Sequence, residues 1–255
     1  MTLRTLIVTT RRMAWTAAMI GGVVLGSTVP VGAQQDGRLF IDINGGLQVT
    51  STDFTDNIVI TEFVEDGDLD ATYAIDSGVI LDIGGGVRLP GNLGVGVGFS
   101  RFDRSNDARV DARIPHPFFF DRDRSITGTA TNLTRTETAV HLQLRWFAPL
   151  RSRVSVSLFG GPTFFQVTQD LVTAVSFAQT YPFDVASFTS ASTAEQSESA
   201  VGYNVGADVG YFFSQHVGVG GLIRYSAGSV DLPSQDDVSI DLGGLHAGGG
   251  LKLRF

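Results

Sequence analysis

The chain has 255 residues, 43% hydrophobic and only 17% charged, which excludes a disordered acidic tail and suits one large all-β domain or two small ones. Its formal charge of −8, from 18 basic and 26 acidic residues with no basic stripe, excludes a typical nucleic-acid binder, so no nucleic-acid partner is expected. Cysteine is absent, which excludes disulfides, cysteine nucleophiles and thiolate metal sites.

The first element is an address. Arg11-Arg12 precede an apolar stretch from Met13 to about Leu25, and the small-residue triplet Val31-Gly32-Ala33 follows. This pattern predicts a signal peptide over residues 1–33, cleaved between Ala33 and Gln34, and a mature domain over residues 34–255. The uninterrupted apolar run is short for a membrane-spanning helix, which needs ~20 residues. Arg11-Arg12 also fits a twin-arginine signal, but that route carries folded proteins, so the pair reads as an ordinary positive start.

From residue 39 onward the hydrophobic period is two. The first segment, Leu39 to Thr50, sets Leu39, Ile41, Ile43, Leu47 and Val49 against Asp42, Asn44 and Gln48. The second, Gly78 to Leu89, sets Val79, Leu81, Ile83 and Val87 against Asp82 and Arg88. The third, Leu93 to about Phe102, alternates Leu93, Val95, Val97 and Phe99 with Gly94, Gly96, Gly98 and Ser100. The fourth, about Arg135 to Phe147, sets Val140, Leu142, Leu144 and Trp146 against His141, Gln143 and Arg145. The fifth runs from Val154 to about Thr168, the sixth from about Ala200 to Phe213, the seventh from Val217 to about Tyr225 and the eighth from about Leu242 to Phe255.

Short and long connections alternate along these segments. Pro90-Gly91-Asn92, Ala148 to Arg153 and Ser214-Gln215-His216 are short; residues 51–77, about 103–134, about 169–199 and about 226–241 are long. That is the plan of an all-β, eight-stranded antiparallel up-and-down transmembrane β-barrel with short periplasmic turns and long outer loops. A soluble barrel would turn its apolar phase inward. The membrane reading is favoured by an apolar phase nearly free of charge, a polar phase holding both signs, and aromatics near strand ends, among them Trp146, Phe147, Tyr211, Phe212 and Phe213.

The alternating stretch Leu245 to Phe255, ending on an aromatic, resembles the C-terminal assembly signal of bacterial outer-membrane proteins. Leu158-Phe159-Gly160-Gly161-Pro162-Thr163-Phe164-Phe165, followed by Gln169-Asp170, is similar to a segment of small OmpA/OmpX-type barrels. The resemblance implies an integral protein of the outer membrane of a Gram-negative-type bacterium, with outer-membrane lipid around it, Phe255 read by the barrel assembly machinery, and no cofactor. Unlike full OmpA, the chain is expected to carry no peptidoglycan-binding domain after the barrel.

The polar phase supplies the candidate lumen: Asp42, Asp82, Arg88, Glu137, His141, Arg145, Asp208, Arg224, Lys252 and Arg254. Eight strands leave room only for side chains, so these charges are expected to pair. Counting from the periplasmic ends groups Asp42, Arg88, Arg145, Lys252 and Arg254 low and Asp82, Asp208, Arg224, His141 and Glu137 higher, with Asp42 facing Lys252 or Arg254 across the first–last strand seam. An ion-pair plug and a narrow gated path for ions both fit. Glu137 and His141 share a face, which raises a lipid-modifying enzyme as a third and weaker reading.

The loops offer contacts for an extracellular ligand. Residues 51–77 hold eight acids and no Lys or Arg, and Glu65, Asp66, Asp68 and Asp70 around Gly67 offer oxygens suited to Ca²⁺, though without the spacing of an EF-hand. A solvated acidic loop is the simpler reading of them, and the calcium site the weaker one. Phe118-Phe119-Phe120 in the second long loop call for a partner, lipid or the barrel mouth. The sequence thus points to a non-enzymatic structural or surface-interaction protein, with a narrow solute channel as the alternative.

Overall fold

The computed structural model describes residues 38–49, 52–150, 153–231 and 239–255, so the signal peptide and its Ala33–Gln34 junction lie outside the described residues. Ten strands follow one another: β1 (Leu39–Val49), β2 (Thr52–Glu62), β3 (Glu65–Ile75), β4 (Gly78–Arg88), β5 (Leu93–Pro115), β6 (Asp123–Phe147), β7 (Val154–Gln179), β8 (Ala186–Phe212), β9 (Val217–Asp231) and β10 (Ser239–Arg254). Eight of them close a ring in the order β1-β4-β5-β6-β7-β8-β9-β10, with β10 hydrogen-bonded back to β1. All pairings are antiparallel, and closure leaves this wall without an edge.

The two further strands form a hairpin in the first long connection, where the sequence predicts a loop. β3 pairs with β5 along Asp68–Tyr73 against Ala108–Arg113, above the stretch where β4 pairs with β5. The hairpin therefore takes over the edge of β5 where β4 ends. The second and third long connections are mostly strand as well: β5 and β6 run on to a tip at residues 116–122, and β7 and β8 to one at residues 180–185.

Chemistry inverts along each long strand while phase is kept. On β5 the outward positions pass from Val95, Val97 and Phe99 to Arg101 and Asp103, and the buried ones from Gly98 and Ser100 to Phe102, Ala108, Val110 and Ala112. On β6 the outward row changes between Val140 and Thr138, on β7 between Phe164 and Gln166, and on β8 between Val201 and Ser199. These positions face one another across the ladders: Phe99 opposite Val140, Val140 opposite Phe164, and Phe164 opposite Val201. The inversion thus follows one row of cross-strand partners around this side of the barrel. Below it the outside is apolar and the inside polar; above it the reverse holds, as expected where a wall leaves lipid for water.

From Val201 down to Tyr211 the outward row of β8 spans roughly 25 Å at ~3.3 Å per residue and ~40° tilt, the height of an outer-membrane apolar band. Among the described residues no charged side chain faces outward in this belt. Above it a second core forms from the hairpin and the strand extensions, with Leu69, Tyr73, Val110, Ile114, Ile126, Val172 and Ile240 fully enclosed. The Tyr73 ring stacks on Phe54 at 4.6 Å, and its hydroxyl accepts the Val172 N–H at 2.7 Å.

Glycines on the polar phase make room for large side chains. A Cβ at Gly206 would lie 2.5 Å from the Phe159 ring, and one at Gly94 would lie 2.9 Å from the Phe147 ring. At Gly243 (φ +87) the left-handed backbone turns its own N–H and C=O towards the lumen, where Glu137 and Gln48 meet them.

Candidate functional site: the lumen and the outer tips

The lumen is built in tiers from inward residues of different strands. In the lowest, Asp42 of β1 accepts from Arg145 of β6 at 2.8 Å and faces Lys252 of β10 at 3.5 Å, while Lys252 also contacts Asp208 of β8. Asp42 and Lys252 are direct cross-strand partners at the β1–β10 seam. Asp208, grouped higher by residue counting, belongs to this lower tier. Strand tilt offsets residue number from height, and counting along single strands does not include it.

In the middle tier Arg224 of β9 donates to Asp82 of β4 at 2.7 Å and to His246 of β10 at 2.9 Å, and Asn44 adds a bond to Asp82 at 3.3 Å. Beside it His141 lies between Ser100 at 2.9 Å and Thr163 at 2.8 Å. In the upper tier Glu137 accepts from Arg135 at 2.6 Å, from Gln48 at 3.3 Å and from the Gly243 N–H at 3.1 Å. The acid–base pair considered for Glu137 and His141 is not made: each is bound to other partners and sealed from solvent. Arg135 and His246 were missing from the sequence-derived set, although their phase, shared with Glu137 and Lys252, carried the signal.

The acids of these three tiers, Asp42, Asp82, Glu137 and Asp208, are matched by Arg135, Arg145, Arg224 and Lys252, so the tiers sum to zero charge. At the periplasmic floor Arg88 lies over the Phe147 ring at 4.1 Å and Arg254 over Phe212 at 4.0 Å. Phe147 and Phe212 therefore face inward and do not belong to the outer girdle; Trp146, Tyr211 and Phe213 are the outward members of that group. The cavity at this floor measures about 20 Å³, and the one beside Asp82 and Arg224 about 10 Å³, each close to the volume of a single water.

The calcium candidates fall on β3 and not in a flexible loop. Successive strand residues face opposite sides, so Asp66, Asp68 and Asp70 point one way and Glu65 the other. Asp66 accepts from Thr61, Asp70 from Asn57, and Glu65 from the Asp121 N–H. Among the described residues no group of three or more His, Asp or Glu side chains is placed to hold a metal ion.

Three hairpin tips meet at the outer end. The Asp121 N–H donates to Glu65 at 2.9 Å, Arg122 pairs with Asp184 at 2.9 Å, and the Phe118 and Phe183 rings lie 5.5 Å apart. Arg124, buried beneath, donates to the Phe183 carbonyl at 3.0 Å and to the Pro115 carbonyl at 2.8 Å. Burial holds its pKa below the usual arginine value.

The sequence profile of the family described as "Outer membrane protein beta-barrel domain" matches residues 22–252. The chain belongs to this family. Its members sit in the outer membrane of Gram-negative-type bacteria, and this outer membrane β-barrel sits there. No curated protein matches the chain. Among solved structures it is similar to Neisserial surface protein A (12% identity, TM-score 0.45, 85% of this chain and 97% of that one). It is also similar to OprG from Pseudomonas aeruginosa (13%, 0.43, 86% and 96%) and to the outer membrane protease OmpT from Escherichia coli (11%, 0.47, 88% and 99%). These likenesses transfer no residue role to the barrel.

Proposed function

We propose that this barrel is a non-enzymatic surface protein whose wall anchors it and whose hairpins meet partners outside. The observation that carries the reading is the filled lumen. Every buried acid there is paired, and the cavities between the pairs hold about one water each. Conduction would require opening pairs whose separation leaves uncompensated buried charge, at about 3–5 kcal/mol each. The same enclosure keeps Glu137 and His141 from any substrate. Outside, by contrast, β7 and β8 continue for about 50 Å of strand beyond the belt, taking ~3.3 Å per residue from Val201 back to Ala186.

Purified protein in planar bilayers is expected to give no discrete openings. Voltage-stable conductance steps would overturn the reading in favour of a narrow channel for small solutes or ions. The reading also includes removal of residues 1–33, leaving Gln34 as the first residue, and use of Phe255 by the barrel assembly machinery. Phe255 is outward, and its backbone pairs with Leu39 at 2.8 Å in both directions, so the residue that would be read also completes the ring seam.

A further inference from the structure

The joined tips leave large apolar side chains mostly exposed. Phe118, Phe119 and Phe120 are 68%, 54% and 76% exposed, Tyr181 is 81% and Val64 is 92%. Phe118 and Tyr181 lie against Phe183, and Phe119 lies against Arg122. Ring contacts, the Arg122–Asp184 pair and the Asp121–Glu65 bond tie the three hairpins to one another. Phe63 (φ 52), Val64 (φ 73), Asp121 (φ 57) and Phe183 (φ 70) all take left-handed backbone, unfavourable for residues other than glycine and most so for the β-branched Val64. Phe63 and Val64 are the two central residues of the β2–β3 turn, whose type needs this backbone at both positions and so fixes where their side chains stand.

The charge around this apolar centre is mainly negative. Glu62, Glu65, Asp121, Asp123 and Asp184 surround it, with Arg122 as the one exposed cation among these tip residues, and it is already paired to Asp184. We propose that the joined tips are a docking surface for a cationic amphipathic polypeptide, whose apolar face covers the phenylalanines while its basic residues meet the acidic rim. This rests on the surface-protein reading and adds the partner's chemistry. An anionic lipid surface matches the aromatic centre but is repelled by the rim.

The test uses the full mature chain in zwitterionic nanodiscs and a fluorescein-labelled Lys/Leu amphipathic helix, with its Glu/Leu counterpart as control. The Lys/Leu helix is expected to bind at least tenfold more tightly than the Glu/Leu helix, and to lose at least tenfold in Phe118→Ser/Phe119→Ser/Phe120→Ser. It should weaken severalfold in Glu62→Gln/Asp123→Asn. Glu195→Gln/Glu198→Gln, lower on β8, should leave affinity within twofold. Unchanged affinity in the phenylalanine variant, or equal loss in the Glu195/Glu198 variant, would show charge attraction alone and overturn the proposal. Phenylalanine-dependent flotation with phosphatidylglycerol vesicles would overturn it in favour of a lipid partner. None of these outcomes bears on conductance, so this inference can fail while the surface-protein reading stands.

Discussion

A guanidinium as enclosed as that of Arg224 is tolerated only if its donors find acceptors, and Asp82 and His246 supply them. Arg224→Met strands the Asp82 carboxylate and is expected to destabilise the barrel by about 3–5 kcal/mol. Adding Asp82→Leu should restore most of that loss, since an apolar pair in place of a buried ion pair is often neutral. Urea midpoints of the variants in vesicles measure both. Tyr73, outside the belt, is a second case: burial, its largest influence, pushes its pKa up from 10.0 to about 12. Its neutral form is favoured by folding, so its contribution is complete below pH ~10 and is lost as pH rises through about 12. Tyr73→Phe should remove a step near pH 12 from the alkaline phenolate titration and cost about 1–3 kcal/mol by orphaning the Val172 N–H. At this scale the period of two was enough to read which face a residue takes. It gave the Asp42–Lys252 pair at the seam but not heights across the wall, because those depend on tilt between strands far apart in sequence, as Asp208 illustrates.

The elements divide at the lipid boundary. Within the belt, alternation of Val, Leu and Ile with polar residues made all eight wall strands legible. Beyond it the same strands lose that signal, because Thr127, Thr129 and Thr131 on β6 or Ser197 and Ser199 on β8 face water and supply no apolar outward row. The signal that survives there is the inward row, such as Val110, Ala112 and Ile114, with polar residues now outside. The β2–β3 hairpin was hidden by its acids, yet Gly67 marks its docking point: a Cβ there would collide with the Arg113 carbonyl. Gly67→Val is therefore expected to lift the hairpin from β5 and expose residues 65–75 to amide exchange. The shift between boiled and unboiled protein on an SDS gel, which reports the wall, should remain. Loss of both together would mean that hairpin and wall are one cooperative unit.

The whole molecule combines a neutral, filled anchor with an acidic, aromatic outer end, and its sidedness is the claim on which the rest depends. The absence of cysteine makes that claim directly measurable. Single cysteines are placed at Phe119 on an outer tip, at Gln215 in a short turn and at Leu144 in the belt, and cells are treated with a membrane-impermeant maleimide. The structure requires Phe119→Cys to be labelled on intact cells, Gln215→Cys only after the outer membrane is opened, and Leu144→Cys in neither state. Labelling of Gln215→Cys on intact cells with Phe119→Cys protected would contradict the orientation, and ready labelling of Leu144→Cys would contradict the membrane-spanning barrel itself.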